Sequence, residues 1–163
     1  MSEEEISETG AMASTLVATL QVRGHTLATA ESITGGLLAG FVTGVPGASA
    51  VYLGGVVSYA TEVKQDLLNV PDDIVQTEGV VSARCAEAMA SGVRDLLGTT
   101  YALSTTGVAG PESQEGQPVG TVYVGLAGPE GTRSVPLRLH GDRAEIRTRT
   151  CAAAVSELLS ALG

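Results

Sequence analysis

Apolar residues recur along this chain in two rhythms. Met12, Leu16, Val17 and Leu20 fall at helical spacing and Gly24 stands where a C-terminal cap belongs, which predicts a first helix. HTLATAE reads as a short strand, followed by a turn at ESITGG and a second helix from about Gly36 to Val42 that ends before GVPG. AVYLGGVVSYA predicts a second strand with glycines inside it, TEVKQDLL a helix, and NVPDD a turn. A longer helix is expected over Val81 to Leu97, opened by the cap Ser82. YALSTTG is the next strand, TVYVGLAG and TRSVPLRLH are consecutive strands joined by GPEG, and Asp142 caps a final helix to Leu162. Helices alternating with strands, then a hairpin, predict the α/β class: a single layered domain with a mixed β-sheet flanked by helices.

The chain has 163 residues, 44% of them hydrophobic, enough for one domain with one substantial core. Residues 1–10 read as an acidic N-terminal tail and residues 11–163 as the domain. Apolar stretches are broken by Gly, Ser or Thr well short of the roughly 18 residues a membrane helix needs, and the opening MSEEEISETG is not a secretion signal. A cytoplasmic protein is expected. Cys85 and Cys151 sit in Ala-rich helical stretches, which favours reduced packing residues over a disulfide.

Charge and aromatic content narrow the partners. A net charge of −9 and 3% aromatic residues argue against nucleic acid, which asks for basic surface and stacking platforms. Five of the nine basic residues nevertheless fall between Arg133 and Arg149. They make either a local anion site or a solvated helix face on which Arg143, Arg147 and Arg149 balance Glu145. A second copy of the chain could pair through a helix or an edge strand.

Three polar, glycine-rich loops lie at predicted strand ends: ESITGG, SYATEVK and TTGVAGPESQEGQP. In open α/β sheets ligands bind where such loops gather. A serine between a strand end and two glycines at a helix start, as Ser32 is, can present its hydroxyl beside free backbone N–H groups. The alternative is that Ser32 or Thr34 caps the helix and the glycines allow close packing. Neither His25 nor His140 stands in a catalytic arrangement, so a base for Ser32 must come from elsewhere. Lys64, the single lysine, is a candidate if burial lowers its pKa, as is a Tyr59 phenolate held beside it; the alternative is an exposed helical lysine. No His, Cys, Asp or Glu grouping has metal-ligand spacing, so no metal is expected.

The runs TAESITGGLLAGFVTGVPGAS, YLGGVVSYATEVKQDLLNV, STTGVAGP, QPVGTVYVGL and GDRAEIR, in this order over about residues 12 to 162, resemble the CinA C-terminal-domain family in its short stand-alone form. The resemblance implies an α/β amidohydrolase, without cofactor, that converts nicotinamide mononucleotide to nicotinic acid mononucleotide and ammonia in pyridine nucleotide recycling. It places the family's nucleophile on Ser32, its tyrosine on Tyr59 and its lysine on Lys64. Substrate positions then fall on Thr34, on Gly35 and Gly36 as oxyanion donors, and on Thr106, Gly107, Ala109, Gly110, Arg143 and Arg147 toward the phosphate. Two departures stand out. Ile33 replaces the family's usual cysteine, and the loop after GVAGP, usually glycine-rich, reads ESQEGQPVG here, with Glu112 and Glu115 added. Rival readings are a non-catalytic nucleotide-binding module of the same fold and an amidase for another small amide.

Overall fold

The first helix, α1 (Glu3–Arg23), starts at Ser2, whose hydroxyl accepts from the Glu5 N–H while the Glu5 carboxylate accepts from the Ser2 N–H. Glu3, Glu4 and Glu5 fill the first turn, where negative charge is favoured by the helix dipole, and Arg149 Nε reaches Glu5 at 2.8 Å. Residues 3–10, expected as an acidic tail, are therefore the opening turns of this helix. The computed structural model describes residues 1–163.

The chain continues through β1 (Leu27–Glu31), α2 (Leu37–Thr43), a 3-10 turn at Ala48–Ala50, β2 (Tyr52–Val57), α3 (Thr61–Leu68) and α4 (Asp72–Thr77). It closes with α5 (Ala83–Leu97), β3 (Tyr101–Gly107), β4 (Thr121–Gly128), β5 (Gly131–Arg138) and α6 (Arg143–Leu162). Ser82 and Asp142 cap α5 and α6 with their side chains, as the sequence predicts. NVPDD differs from expectation: it leads into α4, with Pro71 at its N-cap and Asp72 and Asp73 in its first turn.

The strands form one mixed sheet in the order β2-β1-β3-β4-β5. β1 runs parallel to both β2 and β3, and β4 is antiparallel to β3 and β5. Side-chain alternation divides the core in two. Leu27 and Leu103 pack with Leu16, Leu20, Leu38 and Leu158 of α1, α2 and α6 on one face. Ala28, Ala30 and Ala102 pack with Leu68, Ile74, Met89 and Val93 of α3, α4 and α5 on the other. Both cysteines are free and buried in these cores.

α3 rests directly on α5. A Cβ at Gly92 of α5 would overlap the Leu68 carbonyl at the end of α3. No helix is long and apolar enough to cross a membrane. The ends of the three parallel strands lie side by side, and every polar glycine-rich loop singled out above leaves the sheet from this edge.

Candidate active site

β1 ends on Glu31, a carboxylate only 1% exposed. It accepts from the Thr34 hydroxyl at 2.7 Å and from the N–H groups of Gly36, Leu38 and Ala39 at 3.2, 2.8 and 3.0 Å. Glu31 thus supplies the acceptors that α2 lacks, since Gly36 at its N-cap has no side chain to do so. The sequence reading missed this residue. Its signal is an acidic side chain at the end of an otherwise small and apolar strand, just ahead of a helix start.

Ser32 follows, half-buried, with its N–H on Thr105 O at 2.9 Å and its carbonyl accepting from Gly35 N–H at 3.1 Å. Neither Ser32 nor Thr34 caps α2 directly. Arg147 of α6 clamps the same turn from outside, its guanidinium donating to Ile33 O at 3.1 Å and to Thr34 O at 2.7 Å.

Lys64 projects from α3 back toward the start of its own helix, as long helical side chains do. Only 1% of it is exposed. Its Nζ donates to Ser32 Oγ at 2.9 Å, to Ser58 O at 2.6 Å and to Tyr59 O at 3.1 Å. Burial holds its pKa below the ordinary lysine range, with the Glu115 carboxylate, and Cys85 once it ionises, pulling the other way. Cys85 is pushed up to about 11 by its own burial, so near neutral pH it is an uncharged thiol.

The two side chains open on a cavity of about 500 Å³, lined also by Ile33, Thr61, Val80, Val81 and Arg143 and by every residue from Thr106 to Gln114. Tyr59 stands at its mouth, 61% exposed. Its hydroxyl meets Arg143 Nη2 at 3.0 Å, and Arg143 Nη1 donates to Gly110 O at 2.7 Å. A phenolate between Lys64 and Ser32 is therefore not what the fold provides: the tyrosine's backbone carbonyl, and not its hydroxyl, touches Lys64.

The expected substrate positions divide. Thr106, Gly107, Ala109, Gly110 and Arg143 line the cavity. Thr106 spends its hydroxyl on Val80 O, whereas the N–H groups of Ala109 and Gly110 make no hydrogen bond within the chain. Thr34, Gly35, Gly36 and Arg147 lie outside the lining. Thr34 is fully buried on Glu31 and Thr105, the Gly35 and Gly36 N–H groups are bonded to Ser32 O and Glu31, and Arg147 is spent on two carbonyls. The unpaired donors beside Ser32 are instead the N–H groups of Ile33 and Thr34. Glu112 lines the cavity, whereas Glu115 turns away to bond the N–H groups of Val80 and Val81. Neither His25 nor His140 reaches the cavity, and no three His, Cys, Asp or Glu side chains converge as a metal site.

Comparison with known proteins supplies the wider setting. The family profile described as the CinA C-terminal domain matches residues 9–162. A CinA-like protein of Frankia casuarinae is 63% identical over 126 residues, 77% of this chain and 29% of that protein. A putative competence-damage inducible protein of Geobacillus sp. is 48% identical over 144 residues, 88% of this chain and 35% of that protein. The chain thus spans about a third of the length of these curated relatives. Among solved structures, a CinA superfamily protein of Klebsiella pneumoniae superposes with a TM-score of 0.92 at 31% identity, covering 94% of this chain and 97% of that one. The competence/damage inducible protein CihA of Agrobacterium tumefaciens gives 0.89 at 34% identity, covering 94% of each chain. With residues 9–162 matched in sequence and 94% of the chain matched in three dimensions, the chain belongs to the CinA C-terminal domain family.

Proposed function

We propose that the cavity hydrolyses a carboxamide through Ser32 as nucleophile and Lys64 as base, and that its substrate is nicotinamide mononucleotide. The observation that carries this reading is the 2.9 Å contact between a buried lysine amine and a half-buried serine hydroxyl that share one polar cavity. Two of the three other positions around Nζ face the carbonyls of Ser58 and Tyr59 and the last is its own carbon stem. In the neutral amine, two N–H bonds satisfy the carbonyls and the lone pair points at the Ser32 proton. Burial favours that neutral form.

Ser32 Oγ bonds to the amide carbon as its proton passes to Lys64 Nζ. The oxyanion meets the free Ile33 N–H, adjacent to the nucleophile and on the cavity wall. Lys64 returns the proton to the leaving nitrogen, the C–N bond breaks, and ammonia departs. Water, deprotonated by the same amine, then attacks the acyl-serine; Lys64 returns that proton to Ser32 Oγ as the ester C–O bond breaks, and the nicotinate product leaves. Arg143, with the unpaired N–H groups of Ala109 and Gly110, suits the substrate phosphate.

A second reading, an amidase for a less anionic substrate, is favoured by Glu112 on the cavity wall. The test is ammonia release by the purified protein from the mononucleotide, from nicotinamide riboside and from a panel of other small amides, with and without chelator. The expected result is preference for the mononucleotide, unaffected by EDTA. Preference for an amide without phosphate selects the second reading. No release from any amide, or loss in EDTA restored by a divalent ion, counts against the serine route.

A further inference from the structure

From Pro111 to Gln117 the chain makes hydrogen bonds of two kinds only. Gln114 and Gln117 exchange two backbone bonds of 3.2 and 2.8 Å, which close the turn on itself. Glu115, at the tip of that turn, accepts from Val80 N–H at 3.2 Å and from Val81 N–H at 3.0 Å. This carboxylate is therefore the single polar tie between the turn and the rest of the fold.

The backbone adapts to it on both sides. Glu115 and the following Gly116 have φ of 52° and 72°, the left-handed pair of a tight hairpin turn, where glycine and asparagine are the usual occupants. A side chain with a Cβ is disfavoured there, and the two charge-assisted bonds offset that strain. Opposite, Gly79 leaves the carboxylate its seat, since a Cβ at that position would stand 2.8 Å from Glu115 Oε2. The residues just before the latch, Glu112, Ser113 and Gln114, line the cavity that holds Ser32 and Lys64.

We propose that Glu115 is a specificity-determining residue: by pinning the turn to the start of α5 it fixes the outer wall of the cavity and restricts the site to mononucleotide-sized amides. The proposal rests on the amidase reading above. With the phosphate at Arg143 and the Ala109 and Gly110 N–H groups, a dinucleotide that carries the same carboxamide would extend beyond it against the adjoining wall, Glu112 to Gln114, that Glu115 holds in place.

Glu115→Gly removes the carboxylate and keeps the left-handed turn, and Glu115→Gln keeps the length but sets an NH2 donor against one of the two N–H groups and leaves the other an uncharged acceptor. Hydrogen exchange at the Val80 and Val81 amides should quicken by about tenfold or more in both variants. The ratio of kcat/KM for the oxidised nicotinamide dinucleotide to that for the mononucleotide should rise by about tenfold, with kcat for the mononucleotide within about threefold of wild type at a pH above the Lys64 transition, where loss of the Glu115 charge no longer alters the protonation of the amine. Unchanged exchange at the two amides overturns the latch, and faster exchange with an unchanged ratio overturns its part in specificity. Should the wild type release ammonia from neither nucleotide, the amidase reading fails, and calorimetric affinities for the same two ligands decide by the same tenfold criterion. A protein that binds neither overturns both.

Discussion

Replacing Lys64 by Met retains the length and apolar packing of a stem that is only 1% exposed, and removes the amine from its contacts with Ser32, Ser58 and Tyr59. Loss of a general base lowers kcat by roughly 10²- to 10⁴-fold, which corresponds to about 3–5 kcal/mol of transition-state stabilisation. Stability should change much less. The buried Ser58 carbonyl loses its donor at a cost of about 1–3 kcal/mol, while removal of a desolvated ammonium acts in the opposite direction. Lys64→Arg should not restore the rate, because a guanidinium remains protonated.

The same lysine fixes two pH dependences. In wild type kcat/KM should rise with pH as Lys64 loses its proton, with a midpoint below the unperturbed value of about 10.4, because burial lowers this pKa. Between the folded pKa and that unfolded value the unfolded chain binds more protons. Wild-type stability relative to Lys64→Met is therefore lowest below the folded pKa and climbs as pH rises through the window. Ammonia release in a coupled assay and melting curves across pH measure both quantities. A Lys64→Met variant with kcat within about threefold of wild type, or with the same acidic limb in its pH profile, refutes the role of Lys64.

Tyr59→Phe should leave kcat within about threefold and raise KM a few-fold, since its hydroxyl holds Arg143 and not Lys64; a loss equal to that of Lys64→Met would return the tyrosine to proton transfer. Arg143→Ala should raise KM for the mononucleotide while sparing any slow turnover of nicotinamide riboside, whereas Arg147→Ala should lower Tm and kcat on both substrates because it frees the Ser32 turn. Equal kinetic effects of the two arginine variants would contradict this division. Glu31→Gln, which sets an amide donor against N–H groups of α2, should cost about 1–3 kcal/mol of stability by thermal or denaturant unfolding. A variant as stable as wild type would show that the cap is dispensable.

The layered sheet was legible because its strands and helices carry clean periodicities, and Ser32 and Lys64 because each belongs to a motif at a strand end. The parts that escaped are contacts between distant segments. Arg147 and Ile33 are 114 residues apart, and nothing in either motif indicates that the guanidinium lies over the Ser32 turn and away from the cavity. Tyr59 and Lys64, five apart, invite pairing, but the short α3 sends the lysine back under the strand end while the phenol swings out to α6. Glu31 was hidden by reach, since its bonds land on residues three to eight positions ahead, through the turn and into the first residues of α2. α4 was missed because its six residues are too few for an apolar period to declare itself.

Gly92 gives the fold a lever. An alanine at that point would by itself favour the helix by about 1 kcal/mol, yet the carbonyl of Leu68 occupies the space its methyl group would need. α3 is only eight residues long and carries both Leu68 and Lys64, so whatever pushes on its end moves the amine as well. A single methyl group on the face of α5 that meets α3 would thus be felt as a displacement of Nζ from Ser32, and a functional scan of every position should group Gly92 with the residues of the cavity although it does not line it.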